Sequence, residues 1–262
     1  MTGSRVAARP SATVVLARPG NLAPELLLVH RRGDTSFANT WVFPGGLVDG
    51  QDHDVAEFGN GRDAAQLEKI LDAGSESLAY YSAAIREVFE EVGVLLARDS
   101  SGGWADAEAL ARYREPLYRG EIAWPELLRA EGLRLALDAL HYVSYWATPR
   151  ELPRRFSTRF FVAELPTAAI ARHSEAELID SRWMTAADVL DDAAAMPLPP
   201  PTRHTLQCVS ALPDVSQLLA WAAEMERAGV SCCCPAVIET DGERTVVMPG
   251  DPRYPDYDDD DI

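Results

Sequence analysis

Apolar and polar positions along this chain follow two periods. Alternating or continuous short apolar runs rich in β-branched residues predict strands. Ala12–Ala17 and Glu25–His30 are such runs, and Pro19-Gly20-Asn21 between them predicts a hairpin turn. Trp41-Val42-Phe43 is a short strand stopped by Pro44-Gly45-Gly46, after the polar loop Arg31–Thr40. Further on, His141–Trp146, Arg159–Glu164 and Glu177–Met184 read as strands, and Val237–Met248 as a small hairpin turning at Asp241-Gly242.

The helical period is clearest over Ser77–Val92, where Leu78, Tyr81, Ile85, Val88, Phe89 and Val92 recur at spacings of three and four. Ser77 is placed to cap this helix and Gly93 to end it. Other helices are expected at Ala64–Leu71, Trp104–Tyr118, Pro125–Glu131, Ala186–Ala194, Thr202–Ala211 and Val215–Ala228. Arg98–Gly103 reads as a loop and Pro197–Pro201 as a rigid segment. Interspersed strands and helices predict an α/β domain. It is expected to span residues 10–196, with 197–262 as a helical extension and acidic tail packed on the same domain.

Composition narrows the function. The 262 residues carry 24 basic and 41 acidic side chains, a net charge of −17, which disfavours a nucleic-acid surface. Apolar runs stop short of the roughly 18 residues that a membrane span needs, and the N-terminus shows no signal-peptide core, so a cytoplasmic protein is expected. Cys232, Cys233 and Cys234 are consecutive, a spacing ill suited to zinc, and are read as structural. Lys69 is the only lysine, so arginine supplies nearly all positive charge.

The chemistry concentrates in Arg86–Val94, REVFEEVGV. Glu87, Glu90 and Glu91 stand at i, i+3 and i+4, on one face of the Ser77–Val92 helix. Three like charges at that spacing repel; alone they would read as a solvated face. A hard divalent cation such as Mg²⁺ or Mn²⁺ would remove the repulsion.

The flanking residues make the segment specific. With Pro44-Gly45-Gly46 upstream, it resembles the signature of the Nudix hydrolases: glycine, five residues, glutamate, seven residues, then Arg-Glu-aliphatic-x-Glu-Glu-x-Gly-aliphatic. Two departures stand out. Asp52 occupies the glutamate position, and Asp52 to Arg86 is 34 positions where the pattern gives eight, so about 26 residues, near 53–77, interrupt the signature. An insertion between a loop and a helix costs little closure entropy, which leaves the helix free to form.

A long interruption at this point resembles the coenzyme A diphosphatase branch. LLLVHRR at Leu26–Arg32, WATP at Trp146–Pro149, RRFSTRFF at Arg154–Phe161, ELIDSRW at Glu177–Trp183 and LPPPTR at Leu198–Arg203 extend the likeness along the chain. The resemblance implies an α/β/α sandwich with a mixed central sheet, Mg²⁺ or Mn²⁺ as cofactor, and a small nucleotide diphosphate as substrate. It implies Glu87 and Glu91 as metal ligands, Glu90 as a ligand or water-bridged partner, and the Gly46 carbonyl as a further ligand. Arg86 would orient the glutamates. Glu177, with Glu175 as the alternative, would be the general base. Arg31, Arg32, Arg154, Arg155 and Arg159 are candidates for phosphate contacts, and Trp41, Trp146 and Phe156 for stacking on adenine. The expected reaction splits coenzyme A or an acyl-CoA into 3′,5′-ADP and a phosphopantetheine product. ADP-ribose, NADH and dinucleoside polyphosphates are alternative substrates, and a non-catalytic nucleotide-binding regulator is the alternative of another class.

Overall fold

The computed structural model describes residues 6–32, 39–167, 169–175, 177–192, 194–240 and 242–257. The acidic run Asp258–Asp261, Asp241 of the expected hairpin turn, and part of the expected loop Arg31–Thr40 lie outside the described residues.

The strands are β1 (Arg9–Arg18), β2 (Glu25–Arg31), β3 (Trp41–Val42), β4 (Gly45–Leu47), β5 (Gly59–Asn60), β6 (Ala97–Arg98), β7 (Arg134–Ala136), β8 (His141–Ala147), β9 (Phe156–Glu164), β10 (Leu178–Thr185), β11 (Cys232–Cys233), β12 (Ala236–Thr240) and β13 (Glu243–Val247). The helices are α1 (Ala64–Leu71), α2 (Ser77–Val92), α3 (Arg114–Tyr118), α4 (Trp124–Ala130), α5 (Ala186–Asp191), α6 (Pro200–Val209) and α7 (Val215–Ala228).

Among the described residues, eight strands form one mixed sheet in the order β10-β2-β1-β9-β8-β11, with β3 added to β2 and β4 to β1. The pairs β1–β9 and β8–β11 are parallel and the others antiparallel. Strand periodicity sends alternate residues to opposite faces. Ala12, Val14, Leu16, Leu27 and Val29 join the core under α2, while Val15, Ala17, Leu26 and Leu28 join a second core containing Leu206, Val209, Leu218 and Ala222 of α6 and α7. The sheet is therefore buried on both faces, as the α/β/α expectation requires. No helix among the described residues is long and apolar enough to cross a membrane.

The interruption builds structure of its own. Its β5 joins β7 and β6 in a three-stranded sheet, and α1 packs on α2. Arg62 fastens it to α7. One guanidinium nitrogen donates to the Tyr81 hydroxyl (2.8 Å), the Leu140 carbonyl (3.1 Å) and Glu226 Oε2 (3.1 Å), and the other to Glu226 Oε1 (2.9 Å). Glu226 also accepts the Tyr142 backbone N–H. Both side chains are largely buried, so removing one leaves the other uncompensated. Arg62→Ala should cost about 3 kcal/mol in urea denaturation; an unchanged midpoint would contradict this. Lysine should not rescue it, because the bidentate fork is lost.

Several expectations need correction. Ser77 does not cap α2: the cap position is Glu76, which makes no side-chain capping bond, and the Ser77 hydroxyl is buried without a partner. A short 3₁₀ turn, Gly74–Glu76, leads directly into the helix and occupies the place of a cap. The expected helix Trp104–Tyr118 shrinks to α3 with a 3₁₀ turn, Ala111–Tyr113, before it. Asp99 accepts from the N–H groups of Ser101 and Gly103, turning the chain so that Trp104 bridges back to Arg98. Pro44-Gly45-Gly46 does not simply end a strand, since Gly45–Leu47 resumes as β4 beside β1. The arm Glu177–Met184 forms as β10, beginning at Leu178.

Candidate active site

Helix α2 lies against β1 and β4 with Tyr81, Ile85, Val88, Phe89 and Val92 fully buried. That packing fixes the azimuth of the helix and hence of its acidic face. Gly93 ends it in the left-handed conformation (φ +70°), its N–H donating to the Phe89 carbonyl. The last turn is tied down completely. Arg114 of α3 donates to the Phe89 carbonyl (2.9 Å) and the Glu90 carbonyl (3.0 Å). Ser174 N–H donates to the Glu91 carbonyl (2.7 Å) and Arg172 N–H to the Val92 carbonyl (2.8 Å). All four C-terminal carbonyls, usually left without intrahelical partners, are satisfied. The Arg114 cation also complements the negative end of the helix dipole. Arg172 and Ser174 are thereby held beside the acids.

Arg86 is the hub of the site. Its Nε and Nη2 form a fork on Asp52 (3.1 and 2.9 Å), Nη2 also donates to the Leu47 carbonyl (2.8 Å), and Nη1 reaches Glu87 (3.0 Å) and Glu90 (3.3 Å). Asp52 is fully buried. Besides Arg86 it accepts from the Ser82 hydroxyl (2.8 Å) and the Asp49 N–H (2.8 Å). The latter bond closes a reciprocal capping box across the 3₁₀ turn Gly50–His53. Asp52 thus holds the loop ahead of the interruption against the helix that follows it. Its sequence position alone did not disclose this; the Asp49-x-x-Asp52 spacing was the available signal.

Arg31 takes the other flank. It donates to Glu91 Oε1 (2.9 Å) and to the Gly45 carbonyl, while Gly45 N–H donates to Glu91 Oε2 (2.9 Å). Two glycines make this approach feasible. A Cβ on Gly45 would strike the Ala12 carbonyl, and one on Gly46 would strike the Glu87 carboxylate.

The electrostatics are those of crowded acids. Burial pushes Glu91 up to about 8; Glu87 and Glu177 add to the shift, against Arg31 and the Gly45 N–H. Burial raises Glu90 to about 7 against the opposing pull of Arg86. Glu87 is also raised, first by burial and then by Glu177, although Arg86 and Arg31 oppose. Two guanidiniums do not balance this many carboxylates. Among the described residues, no three His, Cys, Asp or Glu side chains close into a ready cage. The donors are all oxygens lying side by side on one largely buried helix face, a set that suits a hard cation.

Glu177 is half-buried and close enough to bear electrostatically on Glu87, Glu91 and Arg31. Its carbonyl accepts from the Arg32 N–H, and the Arg32 side chain donates to the Glu175 carbonyl (2.5 Å), so Arg32 braces this loop. The five arginines read as phosphate contacts do not converge. Arg31 and Arg32 have the contacts just given, and Arg154 is exposed. Arg155 is buried and donates to the Thr148 and Val6 carbonyls. Arg159 sits among Tyr80, Tyr142 and Tyr145. Trp41 and Trp146 are buried in the core on the α6–α7 face; Trp41 stacks on His30 at 4.9 Å, with Arg182 over its ring.

A carboxylate-bearing helix hinged on Arg86, laid across a mixed sheet and facing a glycine pair, defines a hydrolase of the Nudix class. The family model for the NUDT19 Nudix domain matches residues 56–209, more than half of the chain, and the chain belongs to that family. It is 28% identical to the acyl-coenzyme A diphosphatase NUDT19 of Homo sapiens, covering 94% of this chain and 80% of that protein. The Xenopus laevis protein of the same name is 24% identical, covering 88% and 72%. The crystal structure of a Nudix hydrolase from Alicyclobacillus acidocaldarius superposes with a TM-score of 0.71 at 29% identity, covering 83% of this chain and 97% of that one.

Proposed function

We propose that this Nudix hydrolase is a divalent-metal-dependent diphosphatase of coenzyme A or acyl-CoA, releasing 3′,5′-ADP and (acyl-)phosphopantetheine. The observation that carries the reading is the acidic face of α2, pressed against Gly46 and held by Arg86 and Arg31. The names of the vertebrate relatives support the substrate.

In this reading Glu87 and Glu91 would hold Mg²⁺ or Mn²⁺, with Glu90 as a further ligand or water-bridged partner and the Gly46 carbonyl as another ligand. The bound ion would neutralise phosphate charge and lower the pKa of water. The chain's residues do the remaining work. Arg86, fixed by Asp52, donates to both Glu87 and Glu90 and so orients their carboxylates. Arg31 and the Gly45 N–H fix the Glu91 carboxylate. Glu177 accepts the proton of the attacking water. The water oxygen becomes bonded to one phosphorus, and the bridging oxygen leaves with the other phosphate.

A panel of coenzyme A, acetyl-CoA, ADP-ribose, NADH and a dinucleoside tetraphosphate tests the substrate, with Mg²⁺ or Mn²⁺ and product chromatography. Coenzyme A species should give the highest kcat/KM, with 3′,5′-ADP as a product. A preference for any other compound would overturn the substrate assignment. For the base, Glu177→Gln should lower kcat by about a hundredfold. A loss under about tenfold would remove Glu177 from that role.

A further inference from the structure

Arg159 on β9 is an unusual buried cation. It is 6% exposed, yet among the described residues no carboxylate pairs with it. Its guanidinium carbon lies 3.2 Å from the Tyr145 ring centroid, 5.2 Å from that of Tyr80 and 6.0 Å from that of Tyr142. Ring faces offset part of the desolvation of a cation, but they offer no acceptor to its in-plane N–H groups. Arg159 Nε and Nη1 are buried without hydrogen-bond partners, and so is the Tyr142 hydroxyl. The neighbouring hydroxyls are already engaged, since Ser157 donates to Tyr145 at 3.1 Å. Three unmet polar groups in one place, two on a permanent cation, call for an anion with several acceptor oxygens.

The place matters as much as the chemistry. Gly46 is registered with Ala12 and Ala12 with Arg159, so Arg159 stands two strands from the glycine that faces Glu87. At ordinary strand spacing that is about 10 Å. Phe161, two residues along β9, packs in the core under α2, and Tyr80 is itself on α2, so Arg159 faces the catalytic helix. Tyr80 precedes Glu87 by two turns, again about 10 Å. Tyr145 covers one face of the guanidinium, and the Nε and Nη1 N–H groups at its rim are left as charged donors for phosphate oxygens.

We propose that Arg159 and the Tyr142 hydroxyl bind a phosphate monoester, so that the enzyme recognises a substrate carrying a phosphate outside the diphosphate it cleaves. This rests on the coenzyme A reading, in which the 3′-phosphate is that group and dephospho-coenzyme A is the comparison compound lacking it.

Two measurements test it. In EDTA, where the acidic helix repels anions, inorganic phosphate should raise the melting temperature of the wild-type chain above that in chloride of equal ionic strength. Arg159→Gln and Tyr142→Phe should lose that rise. With Mg²⁺, the wild-type enzyme should favour coenzyme A over dephospho-coenzyme A in kcat/KM. Tyr142→Phe should shrink that ratio by about tenfold and Arg159→Gln by about thirtyfold or more. Tyr142→Phe removes only a hydroxyl that has no partner, so it should fold even if Arg159→Gln does not. A phosphate response that survives both substitutions, or no response in the wild type, overturns the site. A phosphate response without any preference between the two coenzyme forms overturns the substrate assignment and leaves a site for free anion. If neither coenzyme is cleaved, the proposed function fails, and the EDTA titration still decides the anion site.

Discussion

Glu91→Gln should lower kcat for diphosphate cleavage by about a thousandfold while the circular dichroism spectrum stays native. The magnitude follows from the several kcal/mol that a bound divalent cation contributes to phosphoryl chemistry, each 1.36 kcal/mol being tenfold in rate. The substitution is nearly isosteric. Glutamine can still accept the Gly45 N–H, so the contact between α2 and the glycine pair persists. What is lost is one anionic oxygen facing Arg31. Folding should be little harmed because Arg31 keeps its second acceptor, the Gly45 carbonyl. A variant that folds and turns over at more than a tenth of the wild-type rate would exclude Glu91 as an essential ligand.

Asp52→Ala should be the most damaging single change to stability, costing about 4 kcal/mol. Asp52 is fully buried and receives both prongs of Arg86. Without it, the buried guanidinium loses the only acceptor of its Nε, Nη2 keeps the Leu47 carbonyl alone, and the Ser82 hydroxyl and Asp49 N–H lose their acceptor, a larger penalty than the pair's own net contribution. At about 2–4 °C per kcal/mol for a chain of this size, the melting temperature should fall by roughly 8–16 °C. Activity should fall as well, by about ten- to a hundredfold, as expected when a group orienting metal-ligating carboxylates is removed. A melting temperature within about 2 °C of wild type would show that Arg86 does not depend on Asp52.

The sequence made the α2 helix and its acid spacing legible because both are local: a 3.6-residue period and an i, i+3, i+4 cluster need no tertiary information. The same held for β1, β2 and α1. Ser77 misled because a good capping residue loses its role when a 3₁₀ turn runs straight into the helix. Trp104 misled because an apolar residue can return along a turn as readily as begin a helix. The partners of Arg86 and Arg31 were illegible for another reason. Asp52 is 34 residues from Arg86, and Arg31 is 60 from Glu91, so only the closed sheet brings them together. Arg155 and Arg159 looked alike in sequence, two basic residues of the one segment RRFSTRFF. Both are buried, and their partners separate them: Arg155 braces two backbone carbonyls, while Arg159 sits among ring faces.

A Mn²⁺ titration followed by electron paramagnetic resonance decides whether the acidic face of α2 is a divalent-metal site. The wild-type chain should remove free Mn²⁺ signal in proportion to protein, and a chain carrying both Glu87→Gln and Glu91→Gln should not. Equal Mn²⁺ binding by the two proteins would show that these carboxylates do not hold the ion.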